Sequence, residues 1–395
     1  MIHRGTIIDG SGGPGEVGDV AVRGDEIVFV GDAATDGVLA LDTVSAEGFW
    51  VTPGFIDAHS HAEVDEPFGR DGEPFLYQGI TTVVMGVDGG GTPDVAGYLE
   101  AIEAGGVGVN VLTYVGHGAV RRRVIGSDDR SPTETELAEM KSLVRQGMED
   151  GAFGLSSGLF YTPGYYAETE EVIELAKVAA EFGGIYDTHD RDLGASYQGV
   201  GYLNSIREGI RIGEEGGTRV IFSHFNAQGA ANYGRAPEGA ALIEAARARG
   251  VDVQAAQHVY TATQSSLRAY AVPRWAAAGG EAVMLARFED PDTVAILDVQ
   301  TMEMLEIRGG AEKIQFVDER PELNGRTLAA VAEEWGLPVP QTVRRILKDG
   351  NASVMNRDLY DPENTRYLAQ KAWMMTCTDG RTPSPETVVS HPRPY

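Results

Sequence analysis

Apolar and polar positions follow two different patterns along this chain, and the change falls at Pro53. Before Pro53, short alternating runs such as Thr6–Ile8, Asp19–Val22 and Glu26–Val30 are separated by glycine-rich turns. Alternation over about four to eight residues is typical of strands that bury one face. We therefore predict a small antiparallel β-domain over residues 1–52.

From residue 53 onwards, short apolar runs alternate with helical patterns, which is typical of βα units and a parallel sheet. The eight runs are Gly54–His61, Ile80–Met85, Val109–Val115, Phe153–Ser157, Gly184–His189, Arg219–His224, Val251–Ala256 and Ala372–Cys377. Eight such units predict an α/β fold, a (β/α)8 TIM-like barrel over residues 53–395. The active site of such a barrel lies at the C-terminal ends of its strands.

Apolar residues at helical spacing lie between these runs. They predict helices over Pro132–Met148, Thr169–Phe182 and Pro237–Arg249. Ser131, followed three residues later by Glu134, predicts the N-terminal cap of the first helix. The long stretch 273–371 has helical patterns at Leu328–Trp335 and Gln341–Lys348, and we predict that it is an insertion before the last strand.

Side chains of the metal-binding types recur at the predicted strand ends. His59 and His61 end the first run, and residues two apart on a strand point to the same face. The other candidates are Asp88, His189, His224 and Asp379. The chain has only 8 histidines, and chance seldom places four of them, with two carboxylates, where a barrel gathers its active site. A nitrogen-rich ligand set favours zinc, as one ion or two.

A divalent ion at this position indicates hydrolytic chemistry. Such an ion lowers the pKa of bound water towards about 7 and polarises a carbonyl group. Asp379 is then the natural general base, and after proton transfer it is the acid that protonates a leaving amine. The residues alone therefore predict hydrolysis of an amide or a related bond.

Seven short motifs follow one another along the chain. They are Gly54–Asp65, Gly116–Arg121, Leu155–Tyr161, Thr188–His189, Ser223–His224, Thr378–Gly380 and His391–Arg393. Their order resembles that of the N-acyl-D-amino-acid deacylases, or D-aminoacylases, of the amidohydrolase superfamily, from about residue 5 to the end. The resemblance implies a zinc-dependent deacylase that acts on N-acyl-D-amino acids and releases a carboxylate and a D-amino acid.

The resemblance also implies roles for individual residues. The positions that match metal ligands of the family are His59, His61, His189 and His224. Asp379 matches the acid/base residue, and Tyr161 and Arg393 match residues that hold the substrate. A bidentate contact between the Arg393 guanidinium and the substrate carboxylate is a sound physical reason for the last of these roles.

The chain departs from the family pattern at three positions. Asp88 stands where the family usually has a metal-bridging cysteine, and a carboxylate can also coordinate or bridge zinc. Asn226 replaces an expected lysine and His258 an expected tyrosine, both in the substrate pocket. Loss of the lysine removes a cation, so we expect a substrate preference that differs from that of the best-known members. Asn226 and His258 remain candidate substrate-binding residues.

The segment after Asp379 is short for this family, whose C-terminal strands complete the β-unit begun by residues 1–52. We therefore expect the C-terminal β complement to be missing. Sheet edges and an apolar flank would then be bare unless an oligomer or a second chain covers them.

Composition limits the classes of binding partner and the cellular compartment that we expect for this protein. The formal net charge of −27 opposes binding to nucleic acid or to anionic membrane surfaces. A small-molecule substrate, an N-acyl amino acid, is what the resemblance implies. The only cysteine, Cys377, excludes an intrachain disulfide. No signal-peptide pattern or membrane-spanning run is recognisable in the sequence, so we predict a cytoplasmic location.

Two alternatives to the deacylase remain. A cyclic-amide or dipeptide hydrolase of the same superfamily would usually carry a carboxylated lysine on the fourth strand, where this chain offers Ser156 and Ser157. A truncated, catalytically silent metal-binding relative is the other alternative. The glycine-rich segment Gly86–Gly91 lacks the Lys-Ser/Thr of a P-loop and does not predict a phosphate site.

Overall fold

The computed structural model describes residues 1–382 and His391, and the chain divides into two compact units, Met1–Phe55 and a second that begins at Ile56. The strands are β1 Ile2–Ile7, β2 Glu16–Arg23, β3 Glu26–Gly31, β4 Val44–Ser45, β5 Trp50–Val51, β6 Phe55–Asp57, β7 Ile80–Met85, β8 Asn110–Thr113, β9 Val115–Gly116, β10 Gly154–Gly158, β11 Ile185–His189, β12 Arg219–Phe222, β13 Val253–Gln257, β14 Thr263–Ser266, β15 Ile314–Phe316, β16 Ser353–Asn356 and β17 Met374–Thr376.

The helices include long ones that follow the strands of the second unit and shorter ones late in the chain. They are α1 Glu73–Leu76, α2 Val95–Gly105, α3 His117–Val124, α4 Glu134–Glu149, α5 Thr169–Glu181, α6 Tyr202–Gly216, α7 Ala236–Ala248, α8 Leu267–Ala271, α9 Arg274–Ala277, α10 Glu281–Arg287, α11 Pro291–Ile307, α12 Leu328–Trp335, α13 Val339–Lys348 and α14 Pro362–Leu368. In the part of the chain that the structure describes, none of them is long and apolar enough to cross a membrane.

The first unit is a mixed sheet. Strands β1, β2 and β3 pair antiparallel, as the alternating runs predict. The prediction of a wholly antiparallel unit is wrong at one edge, because β4 and β5 both pair parallel to β1. Each of these two strands has two residues, which is too short to leave a periodic pattern in the sequence. Several large apolar side chains of this unit are exposed, among them Ile27, Phe49 and Trp50.

The second unit contains two parallel arrangements of strands. One sheet has the order β9-β10-β11-β12-β13-β17, and a smaller one has the order β6-β7-β8. Each of the eight predicted apolar runs overlaps a strand, although the third run is divided into β8 and β9 at Tyr114. The strands of the larger sheet are parallel, and helices α4 to α7 fall between successive strands from β9 to β13. The α/β, parallel-sheet part of the fold prediction is confirmed.

The main hydrophobic core of this unit joins the larger sheet to its helices. Leu155 on β10 and Tyr186 on β11 are fully buried there, together with Ile206 and Ile210 of α6. The spacing of four residues places both isoleucines on the same helix face, which packs against the sheet. This close-packed core holds the polar C-terminal strand ends in fixed positions.

The cap of α4 differs from the prediction. Thr133 Oγ1 accepts a hydrogen bond from the Glu136 backbone N at 3.2 Å, and a Glu136 carboxylate oxygen accepts one from the Thr133 N at 2.7 Å. The predicted cap at Ser131 and Glu134 is wrong, because the helix begins at Glu134 and the capping box is complete at Thr133–Glu136. Arg130 bonds the same carboxylate and thereby lowers the pKa of Glu136 to about 2.

The late helices are associated with a small antiparallel sheet of order β14-β16-β15. Strand β14 precedes residue 273, so this sheet includes residues before the predicted start of the insertion. A second hydrophobic core forms around it, with Leu267, Phe316 and Val354 fully buried. Residues of β14 and β16 also line the cavity described below.

Candidate metal centre

Six predicted side chains meet at the C-terminal ends of the parallel strands. His59 and His61 follow β6, Asp88 follows β7, and His189 is the last residue of β11. His224 comes shortly after β12, and Asp379 shortly after β17. Residues separated by more than 300 positions in the sequence are thus neighbours in space, as the strand-end argument predicts.

Asp88 lies at the centre of the group. Its Oδ1 is 3.6 Å from His59 Nε2, 3.5 Å from His189 Nδ1 and 3.6 Å from His224 Nε2. Its Oδ2 is 3.4 Å from His61 Nε2. These atoms form two possible ligand sets, one with His59 and His61 and one with His189 and His224, and both include Asp88. A carboxylate shared by two sets is the arrangement that bridges two cations.

The chemistry of these atoms fits a cation. His59 Nε2, His189 Nδ1 and Asp88 Oδ1 are buried and make no hydrogen bond to any residue that the structure describes. Buried polar atoms without partners are costly, and a coordinated ion would satisfy all three. Burial lowers the pKa of His59 to about 3, which keeps its imidazole neutral, as a metal ligand must be.

The carboxylates make the centre strongly favourable for positive charge. Burial alone would lower the pKa of His61, but its contacts with Asp379 and Asp88 raise that pKa to about 9. Burial would likewise raise the pKa of Asp88, yet the nearby imidazoles of His59 and His189 hold it well below its ordinary value. Both pKa shifts show that a positive charge beside the two carboxylates is favourable.

The backbone around the centre is held in uncommon conformations. Asp88, His224 and Asp379 all have positive φ, at 56°, 34° and 48°. Such conformations are unfavourable for residues other than glycine and concentrate at functional sites. Ser156 of β10 fixes the turn that carries Asp88, because its hydroxyl donates to the Gly86 carbonyl and accepts from the Gly89 N.

Gly158, at the end of β10, is required by a close approach of the same turn. A Cβ atom at this position would lie 2.1 Å from the Asp88 carbonyl oxygen. Any larger residue would therefore displace the backbone of Asp88. The glycine allows the second and fourth predicted strands to bring their ends together.

Asp379 faces the same ring nitrogens of His59 and His61 that face Asp88. Its Oδ1 is 3.7 Å from His59 Nε2 and 3.4 Å from His61 Nε2, and its Oδ2 is 3.8 Å from His258 Nε2. The Asp379 N donates to the His59 carbonyl at 3.0 Å, while the Thr378 N donates to the buried Asp57 at 2.9 Å. The last strand end is thereby fixed to the first.

Asp187 was not singled out from the sequence, although it occupies a supporting position. Its Oδ1 lies 4.0 Å from His59 Nδ1, on the side of the ring away from Asp88, and accepts a hydrogen bond from Ser223 Oγ at 2.9 Å. Burial raises its pKa to about 8. At 4.0 Å the pair makes no hydrogen bond, but Asp187 is the acidic group that faces the second ring nitrogen of His59. The available signal was an acidic residue two positions before His189 in an otherwise buried strand.

A cavity of about 400 Å³ opens at these side chains. His61, Asp88 and Asp379 line it, and Gln264 and Ser353 line it from the small antiparallel sheet. The cavity volume is in the range of small-molecule sites. The late part of the chain therefore supplies part of the wall, and its contribution was not predicted from the sequence.

The predicted substrate-binding residues lie in different surroundings. Tyr161 lines the cavity, with its ring centroid 4.7 Å from that of His189. His258 is buried between the rings of Tyr260 and Tyr360, close to Asp379. Arg393 lies outside the described residues.

Asn226 is hydrogen-bonded to residues that do not line the cavity. Its Nδ2 donates to Thr365 Oγ1 at 2.8 Å, and its Oδ1 accepts from the Ala227 N at 2.8 Å. Arg381, which sequence reasoning missed, does line the cavity, with its Nη1 3.6 Å from Glu63 Oε1. Its only signal in the sequence was its place two residues after Asp379.

Comparison with known proteins extends over nearly the whole chain. No family model matches it. The D-aminoacylase of Alcaligenes xylosoxydans xylosoxydans is 33% identical over 392 residues, which cover 93% of this chain and 72% of that protein. The N-acyl-D-glutamate deacylase of the same organism is 30% identical over 418 aligned residues, covering 100% of this chain and 75% of that protein.

A solved structure gives the same likeness in three dimensions. The N-acyl-D-glutamate deacylase from Bordetella bronchiseptica, complexed with zinc and a phosphonate inhibitor that mimics the tetrahedral intermediate, matches with a TM-score of 0.81 at 27% identity. The match covers 100% of this chain and 77% of that chain.

Proposed function

The chain belongs to the N-acyl-D-amino-acid deacylase family of the amidohydrolase superfamily, and we propose that it hydrolyses the amide bond of N-acyl-D-amino acids to give a carboxylate and a D-amino acid. The observation that carries this proposal is the group of four histidines around Asp88, with Asp379 beside it, at the wall of a substrate-sized cavity. The lack of a lysine among Ser156 and its neighbours on β10 disfavours the cyclic-amide alternative.

We propose that His59, His61, Asp88, His189 and His224 hold one or two zinc ions. The buried and unsatisfied ligand atoms support this assignment, as does the zinc in the related solved structure. When bound, zinc supplies a water of lowered pKa and polarises the carbonyl group of the amide. Asp187 faces the other ring nitrogen of His59 at 4.0 Å, so a small shift of either side chain would form the hydrogen bond that orients a ligating ring.

Asp379 is the proposed acid/base residue. Its Oδ1 faces the centre, where it can take a proton from the attacking water and later deliver that proton to the leaving nitrogen. The hydrogen bond from its own N to the His59 carbonyl holds the residue in place during both transfers. Tyr161, at the cavity wall, is placed to contact the substrate, and Arg393 keeps its proposed role as the partner of the substrate carboxylate.

We also propose that the two parallel sheets form a single (β/α)8 barrel. The hydrogen bond from the Tyr114 N to the Met85 carbonyl, at 3.1 Å, supports continuity where β8 gives way to β9. The bond from the His61 N to the Gly380 carbonyl, at 2.8 Å, supports closure between the first and last strands. The division into residues 1–52 and 53–395, an oligomer and a cytoplasmic location stay predictions.

The test of the function is turnover by zinc-loaded protein on a panel of N-acetyl-D- and N-acetyl-L-amino acids, measured as released amine. We expect release from D substrates. Asp379→Asn should lower kcat by about 10²–10⁴-fold with zinc content unchanged, since the variant removes a proton-transfer group. Asp252→Asn, a surface control on a half-exposed carboxylate, should leave kcat unchanged. Zinc-loaded protein that releases no amine from any D substrate would refute the proposal.

A further inference from the structure

A second cavity lies beyond Phe160, on the other side of its ring from the metal centre. The Phe160 ring stacks on that of His189 with centroids 5.3 Å apart and an interplanar angle of 29°. On the cavity side, the Arg274 guanidinium carbon lies 4.4 Å from the Phe160 centroid. The cavity has a volume of about 220 Å³, and Arg274 and Arg308 both line it.

Arg308 is buried and forms no salt bridge with any residue that the structure describes, although the charge of Asp192 acts on it from a distance. Arg308 is 3% exposed, and its Nε and Nη1 have no hydrogen-bond partner among the described residues. The guanidinium instead stacks on Tyr270, with its carbon 3.9 Å from the ring centroid. A ring face attracts a cation, but it leaves the N–H donors, which lie in the guanidinium plane, unsatisfied.

Arg274 adds a second positive charge to the same cavity. One of its nitrogens donates to the Ala269 carbonyl at 3.0 Å, and its guanidinium also faces the Tyr165 ring at 5.6 Å. Burial, and then the charge of Arg308, lower the pKa of Arg274 to about 10. The carboxylate in the lining, Asp129, belongs to an exposed residue at the rim. Two neighbouring guanidiniums therefore share a cavity, and neither forms a salt bridge with a carboxylate among the described residues.

We propose that Arg274 and Arg308 form a binding site for a small carboxylate next to the metal centre. An anion there would accept hydrogen bonds from the unsatisfied N–H groups of Arg308 and would offset the repulsion between the two guanidiniums. Guanidinium groups suit a carboxylate because their N–H donors match its two oxygens. The aromatic rings of Phe160 and Tyr270 fix the arginine planes before the anion arrives.

A small space of about 10 Å³ shares lining residues with both cavities. Arg308 lines this space together with Tyr161 and His189, and both of these residues line the larger cavity. The carboxylate therefore has two sources: the acidic side chain of a substrate whose amide lies at the metal centre, or a free small anion. The first source rests on the proposed function, whereas the second does not.

The first experiment compares N-acetyl-D-glutamate with N-acetyl-D-glutamine, which differ in charge and hardly in shape. If the substrate supplies the carboxylate, kcat/KM should favour the glutamate derivative, and Arg308→Met should reduce that preference by about 10–100-fold. Arg274→Met, at a half-buried position, should also reduce the preference for the glutamate derivative. It serves as the second variant if Arg308→Met does not fold. Arg345→Met removes an exposed arginine that also stacks on an aromatic ring, Trp335, and should leave the preference unchanged.

The second experiment measures the Tm with glutarate added, against sodium chloride of equal ionic strength. A free-anion site predicts a Tm increase in the wild type that is lost in Arg308→Met and Arg274→Met but kept in Arg345→Met. That result, without a charge preference in turnover, would assign the site to a free anion. Equal kcat/KM ratios in all variants, together with no arginine-dependent Tm shift, would overturn the site while leaving the deacylase intact. Arginine-dependent Tm shifts without any turnover would support the site and refute the deacylase.

Discussion

At the scale of single residues, Asp88 has the largest role in the metal centre. It contacts histidines from both ligand sets, and its backbone has a conformation that β10 must hold in place through Ser156 and Gly158. The sequence predicted its metal role from its position after the second apolar run. The sharing of its carboxylate between the two sets depends on side-chain orientations that only the structure supplies.

Removal of Asp88 should therefore impair both ligand sets. We expect Asp88→Ala to lower bound zinc substantially, measured by elemental analysis after dialysis against a fixed free zinc concentration, because Asp88 contacts all four histidines. Asp88→Cys should retain zinc, since a thiolate is also a zinc ligand. Wild-type zinc content in Asp88→Ala would contradict the assignment.

Individual side chains also show where sequence reasoning stopped. Tyr161 was predicted at the substrate pocket and lies at the cavity wall, whereas Asn226 was predicted there and is bonded to Thr365. Both follow a predicted strand, so their strand positions gave no distinction between them. The direction of each side chain depends on contacts with distant parts of the chain.

At the scale of elements, periodicity located the strands and helices well and their ends less well. Helix α12 has the predicted bounds Leu328–Trp335, because its apolar face is continuous and Gly336 ends it with a left-handed conformation. Helix α4 begins later than predicted, because two hydroxyl residues precede it and only Thr133 completes a capping box. Such a choice depends on local geometry that spacing alone does not fix.

The cap of α4 gives a stability prediction. Thr133→Ala should lower the free energy of unfolding by about 1 kcal/mol, since it leaves the Glu136 N without its acceptor. Ser131→Ala is the matched control at the originally predicted cap and should have an effect within about 0.5 kcal/mol. Urea denaturation measures both. Equal losses in the two variants would indicate that the capping box does not carry the effect.

At the scale of the whole molecule, the metal centre connects distant strand ends. Backbone hydrogen bonds join the end of the first parallel strand to the segment after the last, and candidate metal ligands lie on both of these segments. Without a cation, several buried polar atoms at this junction lack partners among the described residues. We therefore expect metal binding to stabilise the fold as well as to support catalysis.

Chelation tests this expectation. If zinc binds only the folded protein, its removal should lower stability by about 3–4 kcal/mol for zinc present at 100–1,000 times its dissociation constant. Differential scanning calorimetry before and after chelation, followed by re-addition of zinc, measures the change. Zinc added back should restore the original Tm, and an unchanged Tm in protein shown to be zinc-free would reject the coupling.

The sequence by itself determined the positions of the parallel strands and the candidate metal-binding residues, because side-chain periodicity and strand-end position are local properties. Only the tertiary structure decided which atoms meet: Asp187 behind His59, Arg381 at the cavity and Arg308 beside Arg274. These residues carry no local pattern that distinguishes them. Their neighbours come from remote segments, and packing of the whole chain fixes those distances.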